Sequence, residues 1–277
     1  MNRTGLLITL AIAAVAGLVF GLYPELDLRI SRIFHEHVIG GNAFGWRIYP
    51  PLMMARDAGL WVGTILITPF LIALGIKLIL PRRKLLVSGR AILFLTATLA
   101  LGPGLLVNAV LKDHWDRSRP IDVAQFGGNE HFTAWWDPRG GCSKNCAFVS
   151  GDVSGAFWTV APAVLAPPQW RALAVGAALV LGGAMAMFRM MAGAHFASDV
   201  IFAGVFTVLI IWLMHGLIYR WPRTRLTDDK VERSLERFSA KFRRAASWFG
   251  IRVATEIAGP KLEDDGDEKL KQRRGWW

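Results

Sequence analysis

Residues 199–220 read DVIFAGVFTVLIIWLMHGLIYR, and no Asp, Glu, Lys or Arg lies between Asp199 and Arg220. About 20 apolar residues of helix cross the hydrocarbon core of a bilayer. The stretch therefore reads as a membrane span, with charged residues left at its two ends. Outward from it, five further runs read the same way: Gly5 to Tyr23, Asp57 to Leu80, Arg90 to about Lys112, Val153 to just before Pro167-Pro168, and Arg171 to about Met191. The run from Val153 is short and contains Pro162, so its ends are loosely defined. The expected fold is all-α, a six-transmembrane-helix bundle with extracytoplasmic interfacial segments and a C-terminal amphipathic helix.

Composition agrees with that reading. Of 277 residues, 53% are hydrophobic and only 19% charged, more apolar than is usual for a soluble domain of this size. The formal net charge is +11. A basic chain ordinarily suggests nucleic acid, but the membrane-length blocks redirect that charge towards anionic lipid, as a surface or as a substrate. No nucleic-acid partner is expected, and oligomeric state is not legible. The N-terminal run also has the outline of a signal peptide, but it ends in Gly-Leu-Tyr-Pro-Glu without a small-x-small cleavage site and reads as a retained span.

Six spans place both termini on one side. The segment Arg82 to Arg90, Arg171, and Arg220, Arg223 and Arg225 then share that side, which their charge marks as cytoplasmic. The opposite side carries Arg29, Arg32, Lys112 and Arg119, so the margin is small. Between spans, Pro24 to Arg56 sets Leu26, Leu28, Ile30, Ile33 and Phe34 among charges, a pattern for a short helix at the interface. Asp113 to Asp152 is polar and Gly-rich, with Trp135-Trp136, and long loops of this kind are more often functional than idle. Within it, Cys142 and Cys146 are too few for a zinc site. They form a disulfide if the loop faces an oxidising compartment, or else stay unpaired.

The chain divides at Arg220 into a membrane domain, 1–220, and a tail, 221–277. In the tail, Val231, Leu235, Phe238, Phe242, Ala245 and Phe249 recur at three- and four-residue steps, with Arg233, Arg237, Lys241, Arg243 and Arg244 between them. That is a basic amphipathic helix for an anionic leaflet or, alternatively, for a partner protein. From Leu262 the composition reads as disordered.

Three polar clusters stand at span ends, all on one side of the six-span layout. Charge at such positions is expensive and marks function. The first runs from Lys112 to Arg119-Pro120. On a continuous helix the seven-residue step would put both cations on one face, with Pro120 ending the helix. Arg by its fork and Lys as a point charge would hold a phosphate. The second is Ser150-Gly151-Asp152, where a hydroxyl and free N–H groups at a helix start suit an anion. Asp152 there either caps the helix or acts as a proton donor. The third is Arg189 followed by His195 and Asp199. In a helix the last two face each other, and a carboxylate on one imidazole nitrogen leaves the other nucleophilic.

These clusters resemble the signature of the type 2 phosphatidic acid phosphatase superfamily, the lipid phosphate phosphatases: Lys-x6-Arg-Pro, then Pro-Ser-Gly-His, then Ser-Arg-x5-His-x3-Asp. Here they read Lys112-x6-Arg119-Pro120, Val149-Ser150-Gly151-Asp152 and Phe188-Arg189-x5-His195-x3-Asp199. Val149 and Phe188 depart from the pattern, and Asp152 stands where the family has its second histidine. The resemblance covers about Arg90 to Arg220. It implies a hydrolase that needs no metal or cofactor. His195 would attack phosphorus to form a phosphohistidine, and Asp199 would orient it. Lys112, Arg119, Ser150, Gly151 and Arg189 would hold the phosphate. In place of the family's histidine, Asp152 is the expected proton donor to the leaving oxygen; otherwise it caps the helix and water supplies the proton.

The loop with Phe126 to Thr133, Trp135-Trp136, the two cysteines and the acidic end of the second motif is more loosely similar to bacterial lipid A phosphatases acting at the 1 or 4′ position. That implies a bacterial inner-membrane enzyme with its site facing the periplasm. Undecaprenyl diphosphate, phosphatidylglycerol phosphate and phosphatidic acid are the alternative substrates. A soluble vanadium haloperoxidase shares such a site but not the apolar spans. A non-catalytic lipid-phosphate binder is the rival from another class, favoured by the altered second motif.

Overall fold

A computed structural model describes residues 3–36, 38–39, 43–81 and 83–248, with side chains to Lys241. Arg82, the side chains of Phe242 and Ala245, Phe249 and the reading from Leu262 onward lie outside the described residues. Among those described there is no strand; an isolated bridge joins Val123 and Glu130.

The chain opens with α1 (Arg3–Leu22) and the short α2 (Glu25–His35). The latter is a short helix within the stretch where the pattern suggested one. Glu25 and Asp27 in its first turn and Arg32 and His35 in its last complement the helix dipole. Helix α3 (Pro50–Ile79) starts on a proline, whose missing N–H is harmless at that position, and begins well before Asp57. Helix α4 (Gly89–His114) is capped by Ser88, which accepts the Ala91 N–H. Its stretch Ala100–Leu111 widens into π-helix. Pro103 causes the change: it has no N–H for the carbonyl of Leu99, and its ring crowds that turn.

The expected fourth span is instead two short helices, α5 (Gly151–Trp158, eight residues) and α6 (Val160–Val164, five residues), parted at Thr159. Pro162 denies a bond to the carbonyl of Trp158, and the Thr159 hydroxyl turns back to the carbonyl of Ala156 at 2.6 Å. Together they run only about 21 Å, short of a bilayer core of about 30 Å. The remaining helices are α7 (Pro168–Met191), α8 (Ala197–Arg220) and α9 (Asp228–Trp248). Among the described residues, five helices, α1, α3, α4, α7 and α8, are long and apolar enough to cross a membrane. The chain is a multi-pass membrane protein.

Helices α5 and α6 form the core, wrapped by α3, α4, α7 and α8. One apolar layer joins Trp158, Val160 and Val164 to Phe94, Leu95 and Ile211. A second joins Phe148, Val149 and Val153 to Val107, Met185 and Val200. Two polar pairs lie inside: Trp158 Nε1 donates to Thr98 Oγ1 at 3.0 Å, and the hydroxyls of Ser154 and Thr207 meet at 2.7 Å. Phe157 fits because Gly182 and Gly204 face it; a Cβ on Gly182 would come within 2.7 Å of the ring.

The bundle has two unlike ends. At one, α9 docks on the end of α3 and the start of α4. The buried Lys77 Nζ is held by Glu232 at 2.7 Å, Glu236 at 2.8 Å and the carbonyl of Arg83 at 3.0 Å. Asp228 takes bonds from Ser88 and Arg90, and Ser239 donates to the carbonyl of Leu78. The opposite end gathers the end of α4, the start of α5, the end of α7 and the start of α8.

Candidate functional site

Helix α4 stops at His114, with Lys112 in its last turn. Trp115 then turns its Nε1 to the carbonyl of Trp135 at 2.7 Å, and Asp116 adopts a φ of 50°. The expected helix running to Pro120 is therefore absent. Pro120 opens a 3-10 turn, and Arg119 before it is extended, with φ −81° and ψ 155°. Lys112 and Arg119 do not share a helix face. The turn brings them together instead, near enough to feel each other's charge, that of Arg189 and that of Asp152. Arg119 Nη2 donates to the carbonyl of Asn145 at 2.7 Å.

The same extended segment anchors the loop leading into α5. The N–H groups of Cys142, Cys146 and Ala147 donate to the carbonyls of Asp116, Lys112 and Arg117 at 2.8–3.1 Å. Cys142 and Cys146 are joined by a disulfide, with Cα atoms 5.7 Å apart. Ser150 is the N-cap of α5, and its side chain accepts the Val153 N–H at 3.5 Å. The cap is thus Ser150 and not Asp152. Gly151 is held against Asn108, whose Oδ1 would lie 2.7 Å from any added Cβ.

After Arg189 in the last turn of α7, Gly193 with φ +64° reverses the chain and delivers His195. His195 precedes α8 and is not in it, so the helical His–Asp facing expected for the third cluster does not arise. The Asp199 Oδ2 accepts the N–H of Phe196 at 2.8 Å and stands 4.0 Å from His195 Nδ1. The hydrogen bond from the imidazole goes to the carbonyl of Ala147, 2.7 Å from Nδ1. Burial holds His195 well below its ordinary pKa of 6.5. Arg189, Arg119 and Lys112 act in the same direction, against the bond to Ala147.

Asp199 belongs to a second, wholly buried group. Its Oδ1 accepts Arg117 Nη1, which also donates to Ser198 Oγ at 2.8 Å. Arg117 Nη2 donates to Asp27 Oδ2 at 2.8 Å, and Asp27 in turn accepts the N–H and hydroxyl of Ser198 at 3.0 and 2.6 Å. Phe196 lies against the guanidinium, 4.6 Å from ring centre to Cζ. One cation thus ties α2, the loop after α4 and the start of α8. Breaking such a buried pair leaves a charge uncompensated. Nothing in the spacing of Asp27 or Arg117 marked them.

Asp152 lies at the open side. Arg56, from α3, donates to its Oδ2 from Nε at 2.9 Å and from Nη2 at 2.7 Å. Arg189 Nε approaches the same oxygen at 3.4 Å without an aligned hydrogen bond. Arg56 ends the stretch before the expected second span, and no signal in the sequence linked it to the motifs. Arg56 and Arg189 thus meet at Asp152, Lys112 feels its charge, and Arg189, Arg119 and Lys112 act on His195; among the described residues no His, Cys, Asp and Glu are grouped to hold a metal ion.

The sequence profile of the PAP2 superfamily matches residues 91–224. The chain is 35% identical over 227 residues to a lipid A 4′-phosphatase of Francisella tularensis subsp. novicida (strain U112), a match covering 79% of this chain and 98% of that relative. The chain belongs to the PAP2 superfamily. A second relative, a lipid A 4′-phosphatase of Rhizobium leguminosarum, is 40% identical over 116 residues, 41% of this chain and 48% of its own length. A third, the lipid A 4′-phosphatase of Rhizobium etli, is 38% identical over 102 residues, 37% of this chain and 40% of its own. No solved structure matches this PAP2 chain.

Proposed function

We propose that this PAP2 protein hydrolyses the 4′-phosphate monoester of lipid A through a phosphohistidine on His195. The observation that carries the reading is the bond from His195 Nδ1 to the Ala147 carbonyl. A carbonyl only accepts, so Nδ1 holds the proton and Nε2 keeps its lone pair for phosphorus. Lys112, Arg119 and Arg189, with Ser150 and the N–H of Gly151, hold the equatorial oxygens, since phosphoryl transfer rests on positioning and electrostatics. Nε2 bonds to phosphorus as the ester P–O bond breaks, and the departing sugar oxygen takes a proton from a water molecule. Water then attacks the phosphohistidine, releasing inorganic phosphate and restoring the imidazole. Asp199, 4.0 Å from Nδ1, stabilises the imidazolium formed on the way.

Asp152 replaces the family's second histidine. The expectation that it supplies the leaving-group proton meets the contacts on its Oδ2, where Arg56 and Arg189 converge. A carboxylate accepts from guanidiniums as the anion. Leaving-group dependence separates the roles. A proton donor matters for lipid A, whose leaving oxygen is basic, and little for p-nitrophenyl phosphate, whose leaving group needs no proton. Equal losses for both substrates in Asp152→Asn would exclude the donor role.

The α5–α6 pair counts in this reading as a short sixth crossing. Ser150 stands at the site end, and Val164 packs in the layer of Phe94 and Ile218 nearer α9. Both termini then lie together, with Arg83, Arg90, Arg171 and Arg220 on the cytoplasmic side and the site facing the periplasm. The deciding experiment offers detergent-purified protein lipid A, undecaprenyl diphosphate, phosphatidylglycerol phosphate and phosphatidic acid in chelator. Wild type releases phosphate from lipid A, and His195→Ala does not. Binding without release by wild type would make the chain a lipid-phosphate binder.

A further inference from the structure

Arg56 lies outside all three motifs, 96 positions from Asp152, yet its guanidinium reaches the carboxylate of Asp152 in the second motif. Two of its nitrogens donate to Asp152 Oδ2, and Nη1 donates to Asp57 Oδ1 at 3.1 Å. All the hydrogen bonds of Asp152's carboxylate fall on Oδ2, the oxygen that Arg189 also approaches. At longer range Lys112 feels the same carboxylate. One anionic group thus sits where three cations meet, an arrangement that suits a phosphate monoester better than a carboxylate. The phosphate brings nearly twice the charge and three acceptor oxygens, and it suits the fork of an arginine.

Exposure gives the direction of approach. Side-chain exposure rises from 2% at His195 through 16% at Arg189 and 24% at Asp152 to 36% at Arg56. Arg56 is therefore at the mouth and His195 at the floor. A phosphate entering meets Arg56 before it reaches the imidazole. With no anion among them, Arg56, Arg189, Arg119 and Lys112 would repel one another, and the Asp152 carboxylate offsets that repulsion.

Resting on the phosphatase reading, we propose that Arg56 is a fourth cation of the phosphate site and that Asp152 is its resident counter-anion, giving up Arg56 and Arg189 to the incoming phosphate. Asp152 then competes with substrate for the same guanidiniums. Product release is eased as the carboxylate takes them back.

The test is equilibrium binding of inorganic phosphate to the full-length, detergent-purified protein, alongside thermal unfolding of each variant. Arg56→Ala should weaken phosphate about tenfold, a loss of about 1.4 kcal/mol, and Arg56→Lys less, because charge survives without the fork. Asp152→Asn should tighten phosphate severalfold. In the Arg56→Ala background the same change should gain less, since only Arg189 is left to release. Unchanged binding in Arg56→Ala, or in Arg56→Lys should the alanine variant fail to fold, overturns the role of Arg56. Weaker binding in Asp152→Asn overturns the counter-anion. If wild type turns over lipid A and phosphate binding ignores Arg56, this inference alone fails. If phosphate binding follows the pattern and no lipid phosphate is hydrolysed, the phosphatase reading fails and the site assignment stands.

Discussion

His195 donates its Nδ1 proton to the carbonyl of Ala147, 2.7 Å away, across 48 positions of sequence. The carboxylate four residues downstream is too far to take it, and is occupied by Arg117 and the Phe196 N–H. A backbone carbonyl is a fixed acceptor with no titration of its own, so the tautomer is set without a partner that changes charge. The loop that supplies Ala147 is itself anchored on the segment carrying Lys112 and Arg117. The acceptor for the imidazole and the cations Lys112 and Arg119 are thereby held by one piece of backbone.

The pH dependence should report this burial. His195 is displaced well below 6.5, first by burial and then by Arg189 and Arg119. In the proposed mechanism only the neutral ring attacks, so activity is lost as pH falls through the depressed value and not as it falls through 6.5. The acid limb of kcat/KM, which reports the free enzyme, should therefore lie below pH 6.5. A limb at or above 6.5 would show a solvated histidine and contradict the geometry.

Gly193 should not tolerate a side chain. Its φ is +64°, and a Cβ would meet three Phe44 ring atoms at 2.6–2.8 Å. The left-handed conformation alone costs an alanine about 1–2 kcal/mol, and relief of the clash would shift the turn that delivers His195. Gly193→Ala should lower kcat/KM by about tenfold or more while the protein remains folded by thermal melting. Gly176→Ala, in open space on α7, is the control and should leave activity unchanged.

The dock of α9 depends on Lys77, whose side chain is fully buried. Replacing Glu232 and Glu236 together with Gln removes both carboxylates from that ammonium. Both glutamates are partly exposed, so the loss should be at the lower end of the buried-pair range, about 3 kcal/mol. The readouts are a lower unfolding temperature and faster proteolysis of α9. Lys77→Met, which removes the charge itself, should be milder. If the glutamine pair melts like wild type, the contact does not hold the helix.

Reducing the disulfide should act through Arg119. Cys142 and Cys146 bracket Asn145, whose carbonyl takes the Arg119 guanidinium at 2.7 Å. Freeing that loop restores backbone freedom where a phosphate ligand is held. Reduction, or the Cys142→Ser/Cys146→Ser pair, should raise KM severalfold with a smaller change in kcat. An equal fall in kcat with KM unchanged would place the effect on the nucleophile instead.

The long spans were legible because bilayer crossing is written in hydropathy over a window of residues, and Gly89–His114 and Ala197–Arg220 lie within two residues of their expected limits. The span with Pro162 was not, because its break at Thr159 and its burial among four other helices depend on packing. The residues of the three motifs were legible by spacing. Their geometry was not: Trp115 is captured by a carbonyl twenty positions on, which ends α4 early and places Arg119 through a turn.

By itself the sequence determined a membrane-embedded all-α chain with three charged clusters, because helix length, apolarity and side-chain chemistry are local properties that survive without neighbours. Only the tertiary structure decided which partner each charge takes. Ala147 serves His195, Arg117 takes both Asp27 and Asp199, Arg56 takes Asp152, and Lys77 takes the tail. Such pairings are chosen by distance and burial. In a low-dielectric interior the nearest acceptor prevails, and which acceptor is nearest is a matter of how helices far apart in the chain pack.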